Sequence, residues 1–298
     1  MKELAERDAT GAIAVIYNEI RRFCAIPYVS SMQRHLATRP GWLEWVWAAL
    51  RPAFASGRAQ TAAWRAADGL RVPRLSPLSR DALRVWSVDA IGEAAIRDVC
   101  DSFIRASPTN LMLSGMLRRL LDGGRPDGTE AHEAAWTPPP SIRALPTLVD
   151  VDALPPAERS VLLSLATPVD GQPFVPGLYR MLAQWPAFTA HLATVLAPHF
   201  EDPVTTDACG RLLAAIDAEV RAVFASLPPL GATPPMPDAS EFPSVRAALD
   251  AYRKTSPEMV VFSRLIRDAM PAPAEGRDSL AARSEGGLGS ASRTPHAG

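Results

Sequence analysis

The chain has 298 residues, enough to bury a large core as one domain or as two packed halves. Its 31 Lys and Arg balance 32 Asp and Glu, and the formal net charge of -1 excludes general steering toward nucleic acid or acidic membrane surfaces. Lys2 and Lys254 are the only lysines, so in an Ala- and Pro-rich chain the arginine excess reads as the codon bias of a GC-rich bacterial genome rather than phosphate recognition.

In chain order, Thr10–Phe23 places Ile13, Ile16, Ile20 and Phe23 on one helical face, with Thr10 at the N-cap position. Ala25-Ile26-Pro27 forces an extended link. A short helix is expected over Val29–Thr38, ending before Pro40, and a second over Gly41–Leu50. Trp42, Trp45 and Trp47 cannot share one face of that second helix, so it is expected to be buried nearly all round. Arg58–Leu70 reads as helical, and Val72–Arg80 as a link. Asp89–Ile104 carries Ile91, Ala95, Ile96, Val99 and Phe103 at helical spacing. Ser107-Pro108 reads as a capping hydroxyl before a proline in the first turn of a new helix, which stops at Asp122-Gly123-Gly124. Gly123–Leu154 is rich in Pro, Gly and Asp and reads as a connector. Pro155–Ala166, the helix pair of the repeated stretch Pro173–Phe200, Thr206–Leu227, Ser244–Lys254 and Pro257–Met270 complete the expected helices, with a loop over Pro228–Pro237. Residues after Pro271 lack core formers and are expected to be disordered. No alternating β-branched run or Asn-Gly hairpin is present, so the expected fold class is all-α.

The chain also repeats itself. Pro27–Phe54 and Pro173–Phe200 align without a gap at an offset of 146, with nine identities, among them Pro27/Pro173, Arg34/Arg180, Pro40/Pro186 and Pro52/Pro198. Ser102–Leu117 echoes Ala251–Ile266 at an offset of 149, with Ser107-Pro108 over Ser256-Pro257. Two long copies point to a pseudo-dimer of helical halves rather than a solenoid. The expected division is residues 1–125 and 155–271 as the halves, 126–154 as the connector and 272–298 as the tail.

Chemistry is scarce. There is no nucleophile elbow, dinucleotide fingerprint, P-loop or zinc-protease helix. Cys24, Cys100 and Cys209 lie far apart without a C-x-x-C pair, which argues against a metal or a disulfide framework and suits buried thiols in a reducing cytoplasm. His35, His132, His191, His199 and His296 show no ligand spacing. The acidic start and the lack of a long apolar run lead to an expectation of no signal peptide and no membrane span.

At the duplicated helices the chain resembles the cofactor-free, non-stereospecific 2-haloacid dehalogenases. The resemblance runs over IYNEIRRFCAIPYV, LATRPGWLEWVWAALRP, RAAD at Arg65–Asp68 and SPTNLMLSGMLRRLLDGGRP. It continues through LPPAERSVLLSLA, YRMLAQWPAFTAHLATVLAP and YRKTSPEMVVFSRLI, and covers roughly residues 10–270. It implies an all-helical subunit of two similar halves with the site between them, a homodimer, and no cofactor or metal. It also implies a hydrolysis in which an aspartate activates water to displace halide from C2 of a 2-haloacid. The corresponding positions are Leu178 for the aspartate, beside Gly177 and Tyr179, Ser107 for a water-orienting asparagine, and Trp64 for an acidic residue. The aromatic pocket positions fall on Tyr28 and Ser31. No catalytic residue is therefore assigned. Tyr28, Ser31, Ser107, Gly177, Leu178 and Tyr179 are expected to line a site for a small carboxylic acid or an apolar ligand. Two functions follow: a dehalogenase-like hydrolase divergent at its catalytic positions, or a small-molecule-binding or structural member of the same helical family.

Overall fold

The structure, a computed structural model, describes residues 2–128, 136–169, 171–231 and 234–273. Among them run α1 (Gly11–Cys24), α2 (Ser31–Leu36), α3 (Trp42–Ala55), α4 (Arg58–Asp68), α5 (Arg80–Val85), α6 (Ala90–Leu121), α7 (Pro156–Leu163), α8 (Gly177–Leu182), α9 (Pro186–Phe200), α10 (Pro203–Ala225) and α11 (Phe242–Ala269). The expected disordered tail lies almost wholly outside the described residues.

α1 buries Ile16, Tyr17, Ile20 and Phe23 and stops where Ala25 turns left-handed (φ 52) ahead of Pro27. Thr10 occupies the N-cap position, as its sequence reading expects, although its side chain makes no capping bond. Gly41, at φ 76, supplies the left-handed residue from which α3 departs. Trp42, Trp45 and Trp47 are all buried, as their spread around the helix requires. Trp42 meets Trp45 edge-on at 6.1 Å, and Trp47 donates Nε1–H to Glu19 at 2.7 Å. α3 runs on past Leu50 through Pro52. The carbonyl that loses its donor there belongs to Ala48, which faces solvent.

The larger departure is at the two Ser-Pro steps. Ser107-Pro108 and Ser256-Pro257 do not open helices; they sit inside α6 and α11, which run unbroken for 32 and 28 residues. Proline in a helix interior costs about 3 kcal/mol. That cost is offset by packing, since α6 and α11 form the most extensive helix–helix contact of the fold. Carbonyls near Pro108 also find other donors: Trp64 Nε1–H reaches Arg105 O at 3.0 Å, and Thr109 Oγ1 reaches Ala106 O at 2.8 Å.

Two hydrophobic cores result. The first gathers α1–α4, the later part of α6 from Ala106 onward, α10 from Leu212 onward, and Val245, Leu249 and Val260 of α11. The second gathers α7–α9 with Ile96–Phe103 of α6 and Met259, Val261, Phe262, Leu265 and Ile266 of α11. α6 passes from the second core into the first and α11 passes the other way, so the two helices are antiparallel. Arg267–Asp101, Arg118–Asp250 and Arg246–Asp122 pair along them in that sense.

One β element was not expected. β1 (Thr167–Val169) and β2 (Gln172–Phe174) form an antiparallel hairpin, with Thr167 opposite Phe174 and Gly171 at φ 74. The Asp170-Gly171 dipeptide is the turn signal that a search for Asn-Gly alone passes over.

Candidate functional site

The expected site residues come from three elements. Ser31 opens α2, Gly177, Leu178 and Tyr179 form the first turn of α8, and Ser107 lies midway along α6. Tyr28 precedes α2. Both short helices are six residues long and follow extended residues, Ser30 and Pro176. Each is tied to an earlier segment through its arginine. Leu4 N donates to Arg34 O at 3.0 Å while Arg34 pairs with Glu3; Val149 N donates to Arg180 O at 3.3 Å while Arg180 Nε bonds Val149 O at 2.9 Å. Both arginines are thus occupied with structural contacts.

Phe103 of α6 brings Tyr28 and Gly177 together. Its ring lies 6.2 Å from that of Tyr28, and a Cβ on Gly177 would stand 3.4 Å from it and 3.6 Å from Leu148. Ser107 follows one turn along the same helix. Leu178 is fully buried in the second core, whereas its counterpart Met32 is in the first. The two do not pack together as a merely filled interface between halves would require.

Tyr179 is fully buried beside Phe200, and its hydroxyl has no hydrogen-bond partner. Burial, and secondarily the negative charge of Glu258, push that hydroxyl well above the ordinary tyrosine range. Glu258 accepts from Thr167 Oγ1 at 2.8 Å, and burial raises its carboxyl above the ordinary value against the opposing effects of Thr167 and Lys254. Cys209 lies in the same neighbourhood, its thiol pushed up to about 12 by burial, so it is no nucleophile at neutral pH.

Three functional candidates escaped sequence reasoning: Gln33, Asn110 and Tyr252. Gln33 Nε2 donates to Asn110 Oδ1 at 2.7 Å, joining α2 to α6, with only 1% and 3% of these residues exposed. The hydroxyl of Tyr252, on α11, lies close to the side chains of Ser256, Ser30 and Asn110. Ser30 Oγ and Gln33 Oε1 are buried with no bond of good geometry. Tyr28, whose hydroxyl lies close to Ser102, borders the same cluster through Tyr252. The available signal was Asn110 itself, one of two asparagines in the chain, set just before the largely apolar stretch Leu111–Leu117. Ser31, by contrast, is half-buried and joins none of these contacts.

No group of His, Cys, Asp and Glu fit for a metal exists among the described residues. His35 Nδ1 meets Lys2 O at 2.8 Å, and His191 stacks on Trp86 at 4.1 Å. His132 and His296 lie outside the described residues. Trp64, standing at the acidic position of the resemblance, braces α6 through Arg105. Two surface depressions lie elsewhere. One, of about 460 Å³, is bordered by Arg21, Arg22, Ile26 and Pro139; the other, of about 470 Å³, by Arg58, Thr61, Arg65 and Glu219. Neither touches the six expected site residues.

No family model and no curated protein matches this sequence. Solved structures do. A D-2-haloacid dehalogenase mutant is 18% identical, with a TM-score of 0.67, over 90% of this chain and 95% of that one. A D-2-haloacid dehalogenase mutant in complex with D-2-CPA is 17% identical at a TM-score of 0.65, with the same coverages. The D-2-haloacid dehalogenase complex with L-LA is 18% identical at 0.66, over 90% and 96%. At such identities the likeness shows the fold: this chain has the all-α architecture of those dehalogenase structures. No described helix is long and apolar enough to cross a membrane.

Proposed function

We propose that this chain is a 2-haloacid dehalogenase-like protein that has diverged at its catalytic positions and binds a small carboxylic acid without releasing halide. One observation carries the reading: Leu178, which stands where the resemblance puts the water-activating aspartate, has no exposed surface and is packed in the second core. Displacing halide with water requires a base within hydrogen-bond reach of that water. Leucine offers no lone pair. Tyr179, held well above its ordinary range, stays protonated at neutral pH and cannot stand in. Ser107 keeps a hydroxyl where the resemblance places an asparagine amide, and Phe103 and Leu148 border Gly177 at ordinary van der Waals distance. The homodimer implied by the resemblance belongs to this same reading.

The test is halide release. Folded protein incubated with each enantiomer of 2-chloropropionate is expected to release chloride no faster than buffer. Turnover above that rate from either enantiomer overturns the proposal.

Glu258 favours a second reading, an active hydrolase with a displaced base. It is half-buried, held by Thr167 and placed in the neighbourhood of Tyr179. Chloride release that Glu258→Gln abolishes would establish this reading in place of the first.

A further inference from the structure

We propose that the neighbourhood of Glu258, where α8, α9, α10 and α11 converge, is a binding site for a small primary ammonium ion. Its ligand carries the charge opposite to that of the carboxylate proposed above, so the inference goes beyond that reading and does not depend on it.

Two groups here lack the partners their burial calls for. The first is an unbalanced anion. Glu258 is half-buried and accepts from Thr167 Oγ1 at 2.8 Å, and among the described residues no cation forms an ion pair with it. Lys254, one turn earlier on α11, is exposed and donates its ammonium to Pro168 O at 3.1 Å instead. A carboxylate withdrawn from water is ordinarily paired. The second is the hydroxyl of Tyr179, which has no hydrogen-bond partner on a residue with no exposed surface. A phenylalanine there would avoid the penalty of burying an unbonded hydroxyl. Glu258 is the charge that acts most strongly on that hydroxyl, which sets the two in one neighbourhood with Cys209. At the point of the first half that corresponds to Glu258 stands Thr109, so the anion belongs to the second half alone.

The lining selects a cation. Phe262 follows Glu258 by one turn on the same face of α11, and its ring stacks on that of Phe200 at 4.7 Å, which in turn lies 6.4 Å from the ring of Tyr179. Aromatic faces beside a carboxylate attract a partly desolvated cation. α9 ends at Phe200, so the negative end of its dipole adds to the same sign. The polar groups all accept. Beside the carboxylate stand the Tyr179 hydroxyl and the Cys209 thiol, both kept protonated and neutral at neutral pH by burial. Three acceptors match the three N–H donors of a primary ammonium, whereas a quaternary ammonium would leave the hydroxyl unbonded. Glu258, Phe200 and Cys209 are each half-buried, so the place opens to solvent on that side.

The experiment titrates the full chain with ethylammonium chloride and tetramethylammonium chloride at constant ionic strength, following the melting temperature and amide chemical shifts. Saturable ethylammonium binding is expected, weaker by at least about tenfold in Glu258→Gln, by about fivefold in Tyr179→Phe, and unchanged in Tyr252→Phe near α2. Tetramethylammonium is expected to bind at least about tenfold more weakly than ethylammonium. Circular dichroism establishes folding, and if Tyr179→Phe does not fold, Glu258→Gln, the exchange of one carboxylate oxygen for an amide, decides. Ethylammonium binding that survives Glu258→Gln, or that is lost in Tyr252→Phe, overturns the inference. Tetramethylammonium bound as tightly as ethylammonium overturns the assignment to a primary ammonium. Absence of saturable binding by folded wild-type protein means that the place holds ordered water only, and overturns the inference as well. None of these outcomes alters chloride release, so the proposed function stands or falls separately.

Discussion

The surroundings of α2 and of α8 have the same helical outline and opposite chemistry. Each is a six-residue helix entered from an extended residue, each is tied to an earlier segment through its arginine, and each lies near a long proline-containing helix. Around α2 a glutamine and an asparagine bond each other across two helices, with serine and tyrosine hydroxyls nearby. Around α8 the corresponding positions hold Leu178, Tyr179 and Met259, two of them apolar and the third with an unbonded hydroxyl. The difference teaches that helical outline and site chemistry vary independently. Backbone pairing and apolar burial hold the outline, whereas three or four side chains decide what either neighbourhood can bind.

The strongest way to break this comparison is Leu178→Asp. A carboxylate placed in the second core has its pKa raised by burial, so its ionised form destabilises the fold by about 4 kcal/mol or more. The loss should be greatest at neutral pH and above, shrink as pH falls toward about 4, and level off below that, where the unfolded aspartate is protonated as well. Urea unfolding at pH 7 and at pH 4 measures it. A loss under about 1 kcal/mol at pH 7 would mean that water reaches this position and that the α8 region is as polar as the α2 region.

The next effect lies on the polar side. Gln33→Leu strands Asn110 and is expected to cost about 1–3 kcal/mol, whereas adding Asn110→Leu removes the stranded partner. The double variant should therefore be destabilised by less than the two singles together, read as a coupling energy of about 1 kcal/mol in a double-mutant cycle. Strict additivity would remove the α2–α6 bond from the account.

Tyr179→Phe deletes a buried hydroxyl that has no partner. Stability should stay level or rise by about 1 kcal/mol in thermal melts, and a clear fall would reveal a bond to that hydroxyl. The smallest effect is that of Glu258→Gln. The folded-state pKa of Glu258 is raised, so the wild-type fold favours its protonated form and loses that contribution as pH rises through the folded value. The variant should flatten the decline in stability on the alkaline side of the ordinary glutamate range. An unchanged slope would show that Glu258 is solvated.

Most helices were legible because their signals are local. The face of α1, the Gly and Pro stops, and the wrapping of α3 in tryptophan follow from spacing alone. The hairpin was passed over because its three-residue strands show no alternation. At the candidate site, Tyr28 and Gly177 are brought near one another by Phe103, and the burial of Leu178 suits an apolar residue in a core. Gln33 and Tyr252 were illegible, since a glutamine or tyrosine in an amphipathic helix carries no mark of the partner it meets 77 or more residues away.

By itself the sequence determined that this protein is helical, where helices such as α1, α2, α4 and α10 begin and end to within a few residues, and that no carboxylate stands at position 178. These rest on dihedral preference, apolar period and residue identity, which need no distant neighbour. Only the tertiary structure decided that the Ser-Pro steps lie inside helices, because packing between α6 and α11 outweighs the bond each proline removes. It alone decided which polar residues gather, because Ser30, Asn110 and Tyr252 meet only when three helices from opposite ends of the chain are packed together.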